Sequence, residues 1–227
     1  MKHKKGILPN TDESFTAKNF LQHCRLLAQR DTALATILKQ YGPPPMWQRT
    51  ASFETLIHII LEQQVSLASA KAALEKLKEK VGQVTPQNIL SLTDADLKAC
   101  YFSRKKTMYA RHLAQAILCN QLNIELLQNM PNEDVRTELK KIKGIGDWTV
   151  DVYLMMVLRR ADLFPLGDIA LVNSMKAVKQ LDKHTSKTEL LQLAENWRPY
   201  RTVAAYILWH AYLCKRSKQY TAAPVKK

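Results

Sequence analysis

Apolar residues recur along most of the chain at intervals of three and four positions, the spacing that places them on one face of an α-helix. The apolar positions that share this spacing include Phe53, Leu56, Ile60, Leu67, Leu74, Tyr109, Leu113, Val135, Leu139, Val150, Leu154, Val172, Met175, Val203 and Ile207. No segment alternates apolar and polar residues over the length of a strand, and no internal repeat is present. The chain is therefore predicted to be all-α.

Polar caps and helix-breaking residues divide this pattern into elements. Ser52, Ser66 and Asn132 can each open a helix, because a short polar side chain accepts hydrogen bonds from the first backbone N–H groups. The run Pro43 to Pro45 cannot continue a helix and marks the first passage between two lobes. We expect a flexible basic tail over residues 1–14, a terminal lobe of residues 15–51 and 162–227, and a central lobe of residues 52–161.

The most distinctive stretch runs from Leu139 to Thr149, where one helix ends at a Gly-x-Gly turn and another begins at once. Glycines at 144 and 146 allow positive φ and close backbone approach, and the first N–H groups of the next helix can bind an anion. Lysines precede the turn and no dinucleotide-binding strand does, which favours a nucleic-acid phosphate as the anion. From these residues alone, an ordinary turn between two helices is the alternative.

The charge of the chain supports a polyanionic partner. Its 34 Lys and Arg residues exceed its 20 Asp and Glu residues, which gives a formal net charge of +14. DNA, RNA and an acidic membrane are candidate partners, and a lysine-rich solvated surface is the alternative. No signal peptide and no apolar run of ~20 residues is visible. We expect a cytoplasmic or nucleoid-associated protein, nuclear if eukaryotic, with no membrane partner.

The four cysteines, Cys24, Cys100, Cys119 and Cys214, lie far apart and form no C-x-x-C pair. This spacing predicts neither a zinc site nor a disulfide framework, and it argues against an iron–sulfur loop. We expect the protein to need no cofactor.

Four blocks of sequence in the right order resemble the helix-hairpin-helix (HhH-GPD) DNA glycosylase superfamily, most closely its 3-methyladenine DNA glycosylase II branch. The blocks lie between Phe20 and Tyr212, and they are Ile60-Leu61-x-Gln63-Gln64-Val65-Ser66, Leu139 to Thr149, Phe164-Pro165-x-x-Asp168, and Trp197-Arg198-Pro199-x-Arg201 with Trp209. The resemblance implies a two-lobed helical bundle that contains the hairpin and has an interlobe cleft, with double-stranded DNA containing damaged bases as partner of a monomer.

The resemblance also assigns the chemistry. Read alone, Asp168 is a helix N-cap; in the superfamily it is the carboxylate at the lip of the base pocket, which stabilises the oxocarbenium-like sugar during N-glycosidic hydrolysis. Glycosylases that also cut the strand carry a lysine nucleophile where this chain has Trp148. A monofunctional glycosylase is therefore expected.

The remaining expected roles fall into three groups. Trp148, Trp209 and Gln63 would line the base pocket, since an indole face attracts a cationic alkylated purine. Gln64 would be the wedge that fills the gap left by the flipped nucleotide. The expected phosphate-binding residues are Lys143, Gly144, Ile145, Gly146 and Thr149, and a monovalent cation is expected at the carbonyls of Lys140, Ile142 and Ile145.

The expected activity is the release of alkylated purines of the 3-methyladenine and 7-methylguanine type. Val152 and Ile169 stand where some members of the superfamily carry tyrosine, which leaves the range of bases open. Two further positions depart from the family pattern. Tyr101 stands where members usually have glycine, and Glu62, where they often have a small residue, adds a negative charge that the resemblance does not explain. The alternatives are the same chemistry on hypoxanthine or etheno adducts, and a helix-hairpin-helix DNA-binding protein without catalysis.

Overall fold

The computed structural model describes the backbone of residues 14–222, and its side chains as far as residue 216. The flexible tail predicted for residues 1–14 falls almost entirely outside the described residues. These residues form thirteen α-helices, and their only β-type pairing is an isolated antiparallel bridge between Ser14 and Arg160. The all-α prediction is confirmed. No helix in this part of the chain is long and apolar enough to cross a membrane.

The helices follow one another with short connections. They are α1 (Ala17–Arg30), α2 (Thr32–Tyr41), α3 (Phe53–Glu62), α4 (Leu67–Val81), α5 (Pro86–Ser91), α6 (Asp94–Ala99), α7 (Arg104–Leu118), α8 (Ile124–Leu127), α9 (Asn132–Lys140), α10 (Asp147–Met156), α11 (Ile169–Val178), α12 (Lys187–Glu195) and α13 (Arg201–Ala222).

Capping side chains set most of the helix starts, as the sequence predicts. Ser52 accepts a hydrogen bond from the Thr55 N–H at 3.1 Å, and Ser66 accepts one from the Ser69 N–H at 3.1 Å. The predicted cap at Asn132 is wrong. Pro131 occupies the N-cap position of α9, and Asn132 is a buried residue of the first turn.

Internal contacts divide the described residues into a terminal unit, residues 14–47 with 159–222, and a central unit, residues 48–158. The boundaries between lobes expected from the sequence lie at 51–52 and 161–162. Both boundaries between the units occur a few residues earlier in the structure. Backbone hydrogen bonds give the reason. The Arg49 N–H bonds to the Met156 carbonyl in the central unit, and the Phe15 N–H bonds to the Arg159 carbonyl in the terminal unit.

The core of the central unit forms around α3, which packs against α4, α7 and α10. Its apolar stripe is almost inaccessible to solvent at Leu56, Ile57 and Ile60. The terminal unit instead has an aromatic core: Tyr206 of α13 contacts the rings of Phe15, Phe20, Trp47 and Trp209. Each unit thus has a hydrophobic core of its own to hold its candidate site residues.

Tyr101 has a left-handed backbone conformation, with φ of +63°, at the end of α6. The resemblance implies glycine at this turn, and glycine is the residue that enters this region without steric cost. The tyrosine nevertheless keeps the turn, and its side chain is 65% exposed.

We expect Tyr101→Gly to raise the free energy of unfolding by about 0.5–1 kcal/mol, because relief of backbone strain exceeds the added flexibility of the unfolded chain. Urea denaturation measures this difference. Asn120→Gly is the matched control: Asn120 has φ of +54°, and asparagine tolerates this region better, so its gain should be smaller. A less stable Tyr101→Gly protein would show that packing of the exposed ring outweighs the strain.

Candidate active site

The predicted hairpin is present in the central unit between α9 and α10. Its turn closes through a 3.0 Å hydrogen bond from the Ile145 N–H to the Ile142 carbonyl, and both isoleucine side chains are buried. Lys143 lies between them in sequence and is exposed. The structure thus buries the apolar positions of the turn and leaves the lysine at the surface.

Gly144 is the glycine that the turn requires. Its φ is +97°, and a Cβ added there would lie 2.1 Å from the Cγ atom of Tyr109 in α7. Gly146 differs: its φ is −106°, and an added Cβ would meet nothing within 4 Å. The expectation that both glycines take positive φ is therefore correct for Gly144 only.

Acidic side chains neutralise part of the basic surface around this hairpin. Asp147, the first residue of α10, pairs with Lys140 at 2.8 Å and with Arg136 at 3.4 Å. The hydrogen bond from Lys140 holds the pKa of Asp147 below its usual value. Lys141 pairs with Glu138 at 2.6 Å, and among the described residues no ion pair involves Lys143. Lys143 is therefore the hairpin lysine whose charge is available to an anion.

Gln63 joins the end of α3 to the hairpin. Its Nε2 donates to the Gly144 carbonyl at 2.9 Å and to the Thr149 hydroxyl at 3.0 Å. The Gln63 amide thus bonds inside the central unit, and Thr149 is 1% exposed. The base-pocket role expected of Gln63 and the phosphate contact expected of Thr149 stay predictions.

Gln64 follows directly and is exposed, with a left-handed φ of +57°. Such a conformation costs a non-glycine residue about 1 kcal/mol and persists only where neighbouring contacts determine it. The residue predicted to be the wedge is therefore strained and exposed at the surface of the central unit.

Glu62, the unexplained departure from the family pattern, points inward. Its carboxylate accepts two hydrogen bonds from Arg49, at 2.7 and 2.9 Å, and lies 3.6 Å from His58. Glu62 is 7% exposed. Its charge is thus compensated within the central unit and is not presented at the surface. Burial lowers the pKa of His58 despite this carboxylate.

The terminal unit holds the predicted catalytic carboxylate. Asp168 is half-buried at the start of α11, and its backbone N–H donates to the Pro165 carbonyl at 2.9 Å. Its Oδ1 accepts two hydrogen bonds, from the Leu171 N–H at 2.8 Å and from the Trp209 indole N–H at 3.1 Å. Asp168 is therefore both an N-cap and a carboxylate fixed from a second helix.

Trp209 is 8% exposed and packs beside Tyr206 and Trp47, with ring centroids 5.8 and 6.4 Å apart. The structure places its polar edge on Asp168, which the sequence had not predicted. Trp148 is half-buried at the second position of α10 in the central unit. That both indoles contact an extruded base stays a prediction.

The two positions at which the resemblance implies tyrosine in some members have opposite environments. Val152 is 2% exposed in the interior of the central unit, whereas Ile169 is 76% exposed directly after Asp168. Ile169 is thus the departure that is placed to affect a ligand beside Asp168.

Two residues of this region were missed by sequence reasoning. Arg49 neutralises Glu62, and Lys106 of α7 donates from Nζ to the Leu61 carbonyl at 2.6 Å. Both contacts join residues far apart in sequence. The one signal in the sequence was the unexplained carboxylate of Glu62. It indicated that a cationic partner exists, but it did not identify Arg49 as that partner.

Comparison with known proteins gives a consistent result. The family model described as "HhH-GPD superfamily base excision DNA repair protein" matches residues 57–199. The chain is 32% identical over 205 residues to the putative DNA-3-methyladenine glycosylase YfjP of Bacillus subtilis, across 87% of this chain and 71% of the relative. It is 30% identical over 180 residues to DNA-3-methyladenine glycosylase 1 of Schizosaccharomyces pombe, across 78% of this chain and 79% of that one.

A solved structure extends this similarity to the fold. The S. pombe 3-methyladenine DNA glycosylase, determined in complex with abasic DNA, matches with a TM-score of 0.75 and 27% identity, across 91% of this chain and 100% of that one. The predicted resemblance and the predicted enzyme class, a DNA glycosylase, are confirmed. The chain belongs to the HhH-GPD superfamily of base excision DNA repair proteins.

Proposed function

We propose that this protein is a monomeric, monofunctional DNA glycosylase that flips out and hydrolytically releases alkylated purines, of the 3-methyladenine and 7-methylguanine type, from duplex DNA. Similarity to two proteins named DNA-3-methyladenine glycosylase supports this substrate class. The observation that carries the proposal is the half-buried Asp168 carboxylate, which the Leu171 and Trp209 N–H groups hold in one orientation.

Asp168 acts on the sugar of the extruded nucleotide. The C1′–N bond breaks with its electron pair going to the purine, and a cationic alkylated purine departs as a neutral base. The sugar becomes oxocarbenium-like, and the carboxylate stabilises its positive charge. Water then bonds to C1′ and releases its proton, guided by the same carboxylate. Hydrolysis by this route leaves an intact abasic site.

Gln64 and the tryptophans support extrusion of the base. Extrusion costs a few kcal/mol, and the exposed Gln64 side chain offsets part of that cost by filling the gap in the stack. Trp148 provides indole surface for a cationic purine. We propose that Trp209 acts mainly by orienting Asp168, because it is buried and its N–H is engaged there.

The hairpin binds the DNA backbone in this proposal. Lys143 supplies a charge without an acidic partner among the described residues, and Gly144, Ile145 and Gly146 supply backbone that can approach a phosphate closely. The carbonyls of Lys140, Ile142 and Ile145 would hold the monovalent cation. The Ile142 carbonyl accepts one hydrogen bond from the Ile145 N–H, and a carbonyl oxygen has a second lone pair for such an ion.

A different damaged base is the second candidate. The exposed Ile169 beside Asp168 stands where the resemblance implies tyrosine in some members. This difference favours a less aromatic pocket and therefore a substrate whose recognition relies less on cation–π attraction. Duplexes carrying hypoxanthine or ethenoadenine separate this candidate from the first. A DNA-binding protein without catalysis would release none of these bases.

We expect the protein to release 3-methyladenine and 7-methylguanine from methylated duplex DNA and to leave intact abasic sites. Strand breaks should appear only after alkali or an added abasic-site nuclease. Because Trp148 occupies the position of the lysine nucleophile, borohydride added during turnover should trap no covalent protein–DNA adduct. Chromatography of released bases and denaturing gels measure both results.

Lys143→Ala serves as the control for trapping. Lys143 precedes the glycines and is proposed to face phosphate. A borohydride adduct that disappears in Lys143→Ala would show that this lysine reaches the sugar, and the monofunctional assignment would be wrong.

A further inference from the structure

Three consecutive residues at the end of α3 are each held by a different part of the central unit. The Leu61 carbonyl accepts a hydrogen bond from Lys106 at 2.6 Å, and the Glu62 carboxylate is paired with Arg49. The Gln63 amide bonds to the hairpin. We call these three sets of contacts the α3 clamp. The next residue is the exposed Gln64.

The clamp occupies the last turn of α3, where backbone carbonyls lack helical partners. The ammonium group of Lys106 satisfies the Leu61 carbonyl at this negative end of the helix dipole, and burial lowers the pKa of that lysine. Arg49 neutralises the buried Glu62. These contacts fix where the helix stops, and so fix where the loop carrying Gln64 begins.

Gln64 needs such support because its own conformation is unfavourable. Its φ of +57° is disfavoured for any residue with a Cβ atom, and the loop contains no glycine to relieve it. Only the neighbouring contacts therefore make this backbone conformation the preferred one.

Within the clamp, the Gln63 amide alone reaches the hairpin. It donates to the carbonyl of Gly144, the residue whose φ of +97° shapes the turn, and to the hydroxyl of Thr149 in the first turn of α10. One side chain thus joins the segment proposed to bind phosphate to the segment proposed to enter the base stack.

We infer that Gln63 is a positioning residue, which fixes the exposed Gln64 relative to the hairpin so that phosphate binding and insertion into the base stack occur as one rigid movement. This inference rests on the proposed function, in which Gln64 enters the DNA. It is an alternative to the role of Gln63 in the base pocket that the resemblance implies. A pocket residue would act on the base directly, whereas a positioning residue acts only through Gln64.

A double-mutant cycle distinguishes these roles. We expect Gln63→Ala to lower the single-turnover rate of base release by ~10-fold or more in the wild-type protein. In a Gln64→Ala protein, the same substitution should lower the rate by less than ~2-fold, because the effects of residues that act as a unit are non-additive. Non-specific duplex affinity should change little. The matched control is Gln115→Ala, an exposed glutamine of α7, which should match the wild type. Equal losses with and without Gln64 would overturn the inference.

Thr149 tests the same contact from the other side. Thr149→Val removes the hydroxyl acceptor at nearly constant volume. It should reproduce part of the Gln63→Ala effect in the cycle, because the bond from Gln63 to the Gly144 carbonyl remains. Thr149→Ser keeps the hydroxyl and is expected to lose less activity than Thr149→Val. If the two substitutions lose activity equally, the hydrogen bond to Gln63 is not what matters.

A binding measurement separates this inference from the proposed function. A duplex with an abasic-site analogue beside 2-aminopurine reports insertion of a side chain by a change in fluorescence, without base release. Gln63→Ala and Gln64→Ala should each lose most of the change, and Gln115→Ala should keep it. If the wild type gives this change but releases no base, the proposed substrate is wrong and the inference stands. A full change in Gln63→Ala would overturn the inference.

Discussion

Asp168→Asn is expected to lower the single-turnover rate of base release by at least ~10²-fold, the usual scale for removal of a key electrostatic group. The substitution is informative because asparagine keeps an Oδ1 acceptor. The hydrogen bonds from the Leu171 and Trp209 N–H groups can both persist, so the N-cap of α11 and the orientation of the side chain are retained. What is lost is the negative charge.

Stability and DNA binding should be unaffected by the loss of this charge, in contrast to the rate of base release. Thermal unfolding of Asp168→Asn should resemble that of the wild type, and its affinity for undamaged duplex should be nearly unchanged. Asp182→Asn is the matched control, because Asp182 also accepts a backbone N–H bond, from His184, in the same unit. A normal rate of base release by Asp168→Asn would remove Asp168 from the mechanism.

Gly144→Val is expected to weaken binding to all duplexes alike, by ~10-fold or more, because phosphate contacts supply most of the sequence-independent affinity. Any Cβ at this position must take a φ of +97° and overlap the ring of Tyr109. The nearest atom is Cγ, at the base of the ring, so rotation of the tyrosine does not relieve the contact easily. The hairpin should therefore be displaced, with a loss of roughly 2–4 kcal/mol in the free energy of unfolding.

Gly146→Ala provides the comparison for folding. Gly146 has an ordinary φ and open space around its added Cβ, so this protein should unfold at the wild-type temperature. The affinity of Gly144→Val for duplex DNA should be measured as a function of salt concentration. Loss of one phosphate contact lowers the slope of log affinity against log salt concentration by about one. An unchanged salt dependence with unchanged affinity would show that the hairpin does not bind the backbone.

Part of the candidate site could be predicted from the pattern of residues in the sequence. Periodicity and caps predicted α3, the hairpin helices and the start of α11, because a helix is stabilised by contacts between residues close in sequence. The resemblance to a known superfamily singled out Asp168. Neither could predict that Trp209, a residue in a different helix, donates a hydrogen bond to that carboxylate.

Three contacts within the central unit are absent from the residue pattern. The resemblance implies that Gln63 faces the base pocket and that Thr149 binds phosphate, and it gives no reason for Glu62. In the structure, Gln63 donates to the Gly144 carbonyl and to the Thr149 hydroxyl, and Glu62 pairs with Arg49. Periodicity indicates which face of a helix is buried, but it does not say which buried polar groups will meet.

The sequence by itself determined that the chain is helical, where the Gly-x-Gly hairpin lies and which family it belongs to, because these depend on local propensity and on residues at fixed spacing. Tertiary structure alone decided that Gly144 must be glycine against Tyr109, that Glu62 is neutralised by Arg49, and that Gln63 bonds to the hairpin. Each of these is a contact between segments distant in the chain. A buried polar or charged group is stable only when such a partner is present, and packing of the whole unit decides which partner that is.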